Sequence, residues 1–227
     1  MTQRNEITRL GLRILDEQLV DCEGRRCGRV EDLEFDGGPG EVVHAVGILC
    51  GATAWKRRLP PRLAELIPGD PRALHRVPWE CVAKIANEIE LRLREDELEP
   101  ASAGGPAPMA LSDLLAATVT DPDGEPLGRV REVVAERPCD AEEGTPWRLH
   151  SLLVGHRALL QRAGFAPDLT DDIGQERMPG NLVRWEWVAG FDGPRRIALT
   201  DRPPRPTLPS SRRGARRRGR GRRDGDE

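Results

Sequence analysis

Apolar positions come in short runs separated by Gly, Pro and acidic clusters, and the runs predict strands more than helices. From Leu12 to Val20 they lead into a turn at Asp21 to Gly24, and Val30, Leu33 and Phe35 continue beyond it, which predicts a β-hairpin. The cluster Asp36-Gly-Gly-Pro-Gly40 ends that strand, and Val42 to Leu49 is apolar enough for a buried one. Between 52 and 72, Trp55, Leu59, Leu63, Leu66 and Ile67 recur at near-helical spacing, but Pro60, Pro61, Pro68 and Pro71 interrupt them. That pattern predicts a short helix at about 61–67 inside a loop. Val77-Pro-Trp79-Glu-Cys-Val82 predicts an extended entry into a short turn, and Ile89, Leu91 and Leu93 alternate with Glu90, Arg92 and Arg94 as a half-exposed closing strand. Residues 1–9 are polar and predicted to be poorly ordered, with order beginning near Leu12.

The same order is then written again. Asp21-Cys-Glu-Gly24-Arg-Arg-Cys-Gly28-Arg29-Val30 returns as Asp121-Pro-Asp-Gly124-Glu-Pro-Leu-Gly128-Arg129-Val130, with five identities in ten positions. In each copy the Asp side chain can cap the turn and the first Gly can take positive φ. Leu115 matches Leu15, Val119 matches Leu19, and His150-Ser-Leu-Leu-Val154 is aligned with His44-Ala-Val-Gly-Ile48. Val183-Arg-Trp185-Glu-Trp-Val188 repeats four of the six residues of Val77 to Val82, and Ile197 and Leu199 stand for Ile89 and Leu91. The offset grows from 100 to 106 to 108, which places the insertions in loops.

These patterns divide 227 residues into 10–95, a Gly/Pro-rich linker at 96–108, a second unit at 109–200, and a Pro/Arg/Gly-rich tail at 201–227 with no means of building a core. With 37% hydrophobic residues, 4% aromatics and no Tyr, each unit is expected to have a small aliphatic core, and packing the units together would help both. Charge is unevenly spread: ten Arg and four acids lie beyond residue 200, which leaves 25 basic and 34 acidic residues in the body. The body is acidic and the tail basic. Five scattered cysteines without a CxxC pair, a polar amino terminus and no long apolar run predict reduced thiols, no membrane insertion and a cytoplasmic protein.

The D-x-x-G-x-x-x-G-R-V turn, the strand after it, V-P-W-E-x-V and the closing I-x-L strand resemble a PRC-barrel domain. That small β-barrel is shared by the cytoplasmic part of the photosynthetic reaction centre H subunit and the carboxy-terminal domain of a ribosome maturation factor. The resemblance covers about 10–95 and 110–200 and implies a mainly β chain of two tandem barrels with short helical insertions. It further implies a module that serves protein contacts and has no shared catalytic centre. Arg184 departs from the Pro that precedes Trp79, and 53–72 and 157–180 are longer than a minimal barrel requires.

Comparing the two copies also sorts the candidate sites. Cys22 and Cys27 share one turn, but Pro122 and Leu127 replace them in the second copy, so they read as ordinary thiols. His44 and His150 are expected to be structural, each hydrogen-bonded within its unit. Trp79 and Trp185 are expected to anchor the core or its rim, with Trp187 sharing the face of Trp185 if that segment is extended. Glu95-Asp96-Glu97, Asp140 to Glu143 and Asp171-Asp172 lack a calcium-loop register and read as solvated loops.

No catalytic, cofactor or metal residue is assigned. The stretch with a chemical argument for a partner is the tail, where Arg212, Arg213, Arg216, Arg217, Arg218, Arg220, Arg222 and Arg223 sit on a Gly-spaced backbone. Their guanidinium groups suit phosphates or acidic proteins, without aromatics for base stacking. The leading expectation is a non-enzymatic adaptor for an unknown protein partner, with homodimerisation open to it. The alternative is an RNA- or ribosome-associated factor that uses the tail.

Overall fold

The computed structural model describes residues 5–51, 61–64, 66, 74–101, 109–155, 182–192 and 195–201. The first half runs β1 (Asn5–Arg9), α1 (Leu10–Arg13), β2 (Gln18–Val20), β3 (Arg26–Arg29), β4 (Asp32–Asp36) and β5 (His44–Cys50). Then follow α2 (Pro61–Ala64), β6 (His75–Pro78), a 3-10 turn at Trp79–Cys81, β7 (Val82–Ile85), β8 (Ile89–Leu91) and a short β9 (Glu99–Pro100). The second half runs β10 (Met109–Ala110), α3 (Leu111–Ala116), β11 (Thr118–Thr120), β12 (Pro126–Pro138) and β13 (Arg148–Val154). It ends with β14 (Leu182–Arg184), a 3-10 turn at Trp185–Trp187, β15 (Val188–Phe191) and β16 (Arg196–Leu199). The chain is mainly β, as its apolar pattern predicts. The described pairings form two open sheets, one of twelve strands and one of four.

The turn that opens each half is built as its residues dictate. Asp21 accepts from the backbone N–H groups of Glu23 and Arg25 at 3.0 and 2.8 Å, and Asp121 from those of Asp123 and Glu125 at 3.0 and 2.9 Å. Gly24 and Gly124 take φ of 80° and 84°, where a Cβ would be strained. Burial pushes the Asp21 carboxyl up, but its bonds to Arg25, Glu23 and Glu95 outweigh this and bring it to about 2.

Strand registers repeat between the halves. Gln18 pairs with Arg29 and Leu19 with Gly28, as Thr118 pairs with Arg129 and Val119 with Gly128. The parallel pair Leu19–Ile89 returns as Val119–Ile197, and Val82–Leu91 as Val188–Leu199, which preserves the offsets of 106 and 108. The pairing corrects one alignment. Leu33 pairs with Ile48 and Val133 with Leu152, so Arg148 is the counterpart of His44, and His150 is the counterpart of Val46. A two-residue slip keeps every side chain on its face, so the apolar pattern could not reveal it.

Each half lends its first strand to the other. β1 pairs with β12, with Thr8 opposite Ala135 and Arg9 opposite Val134, and β10 pairs with β4, with Met109 opposite Phe35 and Ala110 opposite Glu34. Residues 5–9, expected to be poorly ordered, are therefore a paired strand. Its polar residues suit a sheet margin, where Asn5 donates to Glu136 at 2.7 Å and Arg137 meets Glu6 at 2.8 Å. The segment expected to run apolar from Leu12 instead begins with a helical turn at Leu10, and Leu12 is 46% exposed.

A buried acid holds each lent segment. The Asp32 carboxylate accepts from Ser112 N at 3.0 Å and Ser112 Oγ at 2.6 Å, and Glu132 accepts from Gly11 N at 2.7 Å. Gly11 and Ser112 are thus 101 apart, whereas Glu17 and Ala117, which accept from Val30 and Val130, are 100 apart. The first half absorbs its extra residue where Leu15 N–H reaches back to Leu10 O and Asp16 takes φ 67°.

The halves also meet directly at β5 and β13. His44 lies opposite Arg148, and Ala45 N–H donates to Trp147 O as Leu149 N–H donates to Val43 O, both at 2.9 Å. One apolar cluster runs through both halves, including Phe35, Trp79, Trp147 and Trp185, instead of two separate aliphatic cores. Phe35 and Val43 are replaced in the second half by Ala135 and Trp147, so each half keeps one large side chain on this hairpin. Part of the stretch read as a linker is structured, since β9 pairs with β6. Of the helix expected at 61–67, Pro61–Ala64 is helical, and most of the surrounding loop lies outside the described residues.

Candidate functional site

At the junction of the halves a cavity of about 310 Å³ opens between the loop before β5 and the start of β13. Gly40, Glu41 and Val42 line it from the first half, and Glu136, Arg148, His150, Arg184, Trp185 and Glu186 from the second. A second cavity of about 550 Å³ lies across the same Glu136–Arg148 pair and is lined by Asn5, His44 and Thr145 among others.

Glu136 lies near the end of β12 beside β13, opposite Arg148 in register, which is why the two form an ion pair. Burial pushes its carboxyl up, but the hydrogen bonds from Arg148 and Asn5 and the nearby cationic groups outweigh this, so it stays below its ordinary range. His150 is half-buried and its Nδ1 lies 3.0 Å from Ser151 Oγ. Burial lowers its pKa first; Glu136 opposes this, and Arg184 and Arg148 reinforce it. Ser151 is almost wholly buried and does not line the cavity, so this serine–imidazole contact tethers the ring without presenting a nucleophile there.

Across the cavity, Arg184 Nη1 donates to Glu186 at 3.1 Å, with both side chains largely in solvent. Trp185 is 3% exposed, and among the described residues its indole N–H has no hydrogen-bond partner. The lining therefore carries three carboxylates, Glu41, Glu136 and Glu186, against two arginines, each of which is paired with one of them, while the indole N–H is closed off from solvent.

Both titrating groups weaken the fold in acid. The unfolded chain protonates its imidazole near the ordinary 6.5 while the folded chain resists, so stability declines as pH falls from there toward the depressed value of His150. The share carried by Glu136 is full above the ordinary 4.5 and is lost as pH falls through its depressed value. Urea midpoints are expected to drop between about pH 7.5 and about pH 5.5 in the wild type and to drop less in His150→Gln. Equal drops in both would remove His150 from this account.

All five cysteines are free thiols; burial and nearby acids push Cys27 to about 11, and burial likewise pushes Cys50 to about 12. Among the described residues no group of three or more His, Cys, Asp or Glu could hold a metal ion. His44, expected to be bonded within its unit, is exposed beside the second cavity. Trp79 and Trp185 are both buried, in line with anchoring the core. Trp187 belongs to a 3-10 turn and not to an extended segment, and Arg184 lies over its ring at 5.8 Å. Glu97 accepts from Arg94 N–H at 2.7 Å, so part of the first acidic cluster closes its own turn. Asp171, Asp172 and the eight tail arginines lie outside the described residues.

Glu136, Arg148 and Arg184 do not stand out in the sequence, because their meeting depends on the β5–β13 junction. The one available signal is loop length, with seven residues between Asp36 and His44 and eleven between Glu136 and Arg148. No protein-family model matches the chain, and no curated protein matches it. Among the described residues no helix is long and apolar enough to cross a membrane.

Proposed function

We propose that the chain is a non-catalytic adaptor made of two PRC-barrel-like modules related by an approximate twofold, and that it binds a protein partner. The observation that carries this reading is the repeated register, which keeps one strand framework in both halves and confines the differences to loops. The reading is supported by the second half, where β12 pairs with β11 and β13, β14 with β13, β15 with β16, and β16 back on β11. The first half repeats these pairings with the counterpart of β12 divided, β3–β2–β8–β7 in one sheet and β4–β5–β6 in the other. A rigid frame with divergent loops suits recognition.

The ten-arginine tail supports RNA contact as the second reading. Affinity capture with the full chain and with a form lacking 201–227 separates them. The adaptor reading expects one protein retained in stoichiometric amount by both forms. Nucleic acid that elutes with salt and vanishes with the tail, without such a protein, would overturn it.

A further inference from the structure

After β8 the chain crosses the turn that opens its half. Arg92 N–H donates to Cys81 O at 2.7 Å, and Leu93 O then accepts from Cys22 N–H at 3.1 Å. Glu95 N–H reaches Asp21 Oδ2 at 3.3 Å. Glu23 of the turn lies between two guanidinium groups, Arg94 of the crossing segment at 3.2 Å and Arg25 of the turn itself at 3.1 Å. Arg25 also holds Asp21 at 2.8 Å, and the segment that crosses it runs on as Glu95-Asp96-Glu97. The first half thus shows the turn occupied by an arginine that arrives from beyond the closing strand.

The second half sets out on the same course after β16. Thr200 N–H donates to Trp187 O at 2.8 Å, as Arg92 does to Cys81, and the registers that match Leu91 with Leu199 fix the offset at 108. By that offset Arg202, the second residue beyond Thr200, stands for Arg94. In the turn Asp121 and Asp123 stand for Asp21 and Glu23, but Glu125 replaces Arg25, and both Asp123 and Glu125 are exposed. Charge has changed on both sides of the crossing. The first half sets two guanidinium groups on one glutamate and follows them with three acids. The second offers two carboxylates to one arriving guanidinium and follows it with Pro203, Pro204 and Arg205.

The means of attachment differ as well. Pro122 replaces Cys22 and Pro203 replaces Glu95, so neither main-chain bond of the first crossing has a donor in the second. Charge between side chains is left to hold the segment, and exposed ion pairs are weak and open in salt. Arg202 and Arg205 each precede a proline, which favours extended backbone with little freedom to lose on docking.

We infer that the turn at 121–125 is the docking site of the chain's own tail, with Arg202 seated between Asp123 and Glu125 as Arg94 is seated on Glu23. Where the first crossing is fastened by the main chain, this one is releasable, and while it is closed it holds the start of the arginine tail on the body. This goes beyond the adaptor reading and does not depend on it.

Backbone 15N relaxation of the full-length protein tests it, with the Arg205 amide as the reporter carried by the tail in every variant. At low ionic strength its order parameter is expected near about 0.8, against less than about 0.6 for a free tail. Asp123→Arg combined with Glu125→Arg is expected to drop it below about 0.6, and so is Arg202→Glu, which leaves the turn untouched. All three substitutions together exchange the charges across the contact and are expected to restore the wild-type value. About 0.5 M salt is expected to free Arg205 in the wild type. A wild-type order parameter below about 0.6 at low salt would overturn the inference. So would an Arg205 that stays ordered in Arg202→Glu, or a triple variant no more ordered than Arg202→Glu alone. Order that is lost on diluting the protein means that the tail of a second copy occupies the turn, and that too overturns the inference.

Discussion

Replacing Asp32 with alanine is expected to destabilise both halves together, by about 3–5 kcal/mol. The carboxylate is 0% exposed and receives Ser112 N, Ser112 Oγ and Leu33 N within 3.0 Å, so truncation strands three donors in the protein interior. Two of them belong to the helical turn after β10, which is seated on β4 of the other half. Its loss should therefore loosen the seat of the lent strand as well as a local cap. Asp32→Asn retains acceptors and is expected to lose about half as much. Urea unfolding followed by tryptophan fluorescence and by far-UV circular dichroism checks this. A loss below about 1 kcal/mol, or a first half that unfolds apart from the second, would refute the role given to the cap.

Gly144→Ala is expected to be the most damaging single-methyl change among the described turns, at about 3 kcal/mol or more, while Gly40→Ala costs about 1 kcal/mol. Both glycines have positive φ, so both substitutions carry the left-handed penalty. Of the two, only at Gly144 would the new methyl press on Val82 O, which is backbone held between β7 and β8 and has no rotamer to escape into. The loop must lift, and lifting it withdraws Gly144 O from the Trp79 indole. Thermal unfolding of the two variants tests the contrast, and a red-shifted tryptophan emission should accompany Gly144→Ala. Equal losses would mean that the longer loop is not seated as described.

What the sequence disclosed follows from where its constraints are local. Asp21, Gly24 and Gly28 need only each other to make their turn, and the same residues at 121, 124 and 128 announce it again. Trp79 and Trp185 were legible because the same spacing to Val82 and Val188 accompanies each. The placement of His150 was not, since a strand slipped by two residues keeps its apolar face. β1 was not legible either, because Asn5, Glu6 and Arg9 look solvated until Glu136 and Arg137 arrive from more than a hundred residues away. The candidate cavity was hidden for the same reason. Its lining brings Glu41 and Val42 of one half beside Arg148 and Arg184 of the other, which meet only across the β5–β13 junction.

The reciprocal lending of β1 and β10 has a consequence for synthesis. Contacts between residues 5–9 and 134–138 are about as long-range as this chain allows, and such contacts slow folding. At about 5–20 residues per second, β1 waits roughly 6–25 s on the ribosome before its partner strand exists. During that interval the nascent first half carries an unmatched strand edge at each end of its exchange, so the polar composition of Asn5–Arg9 also guards an unfinished molecule against pairing with its neighbours.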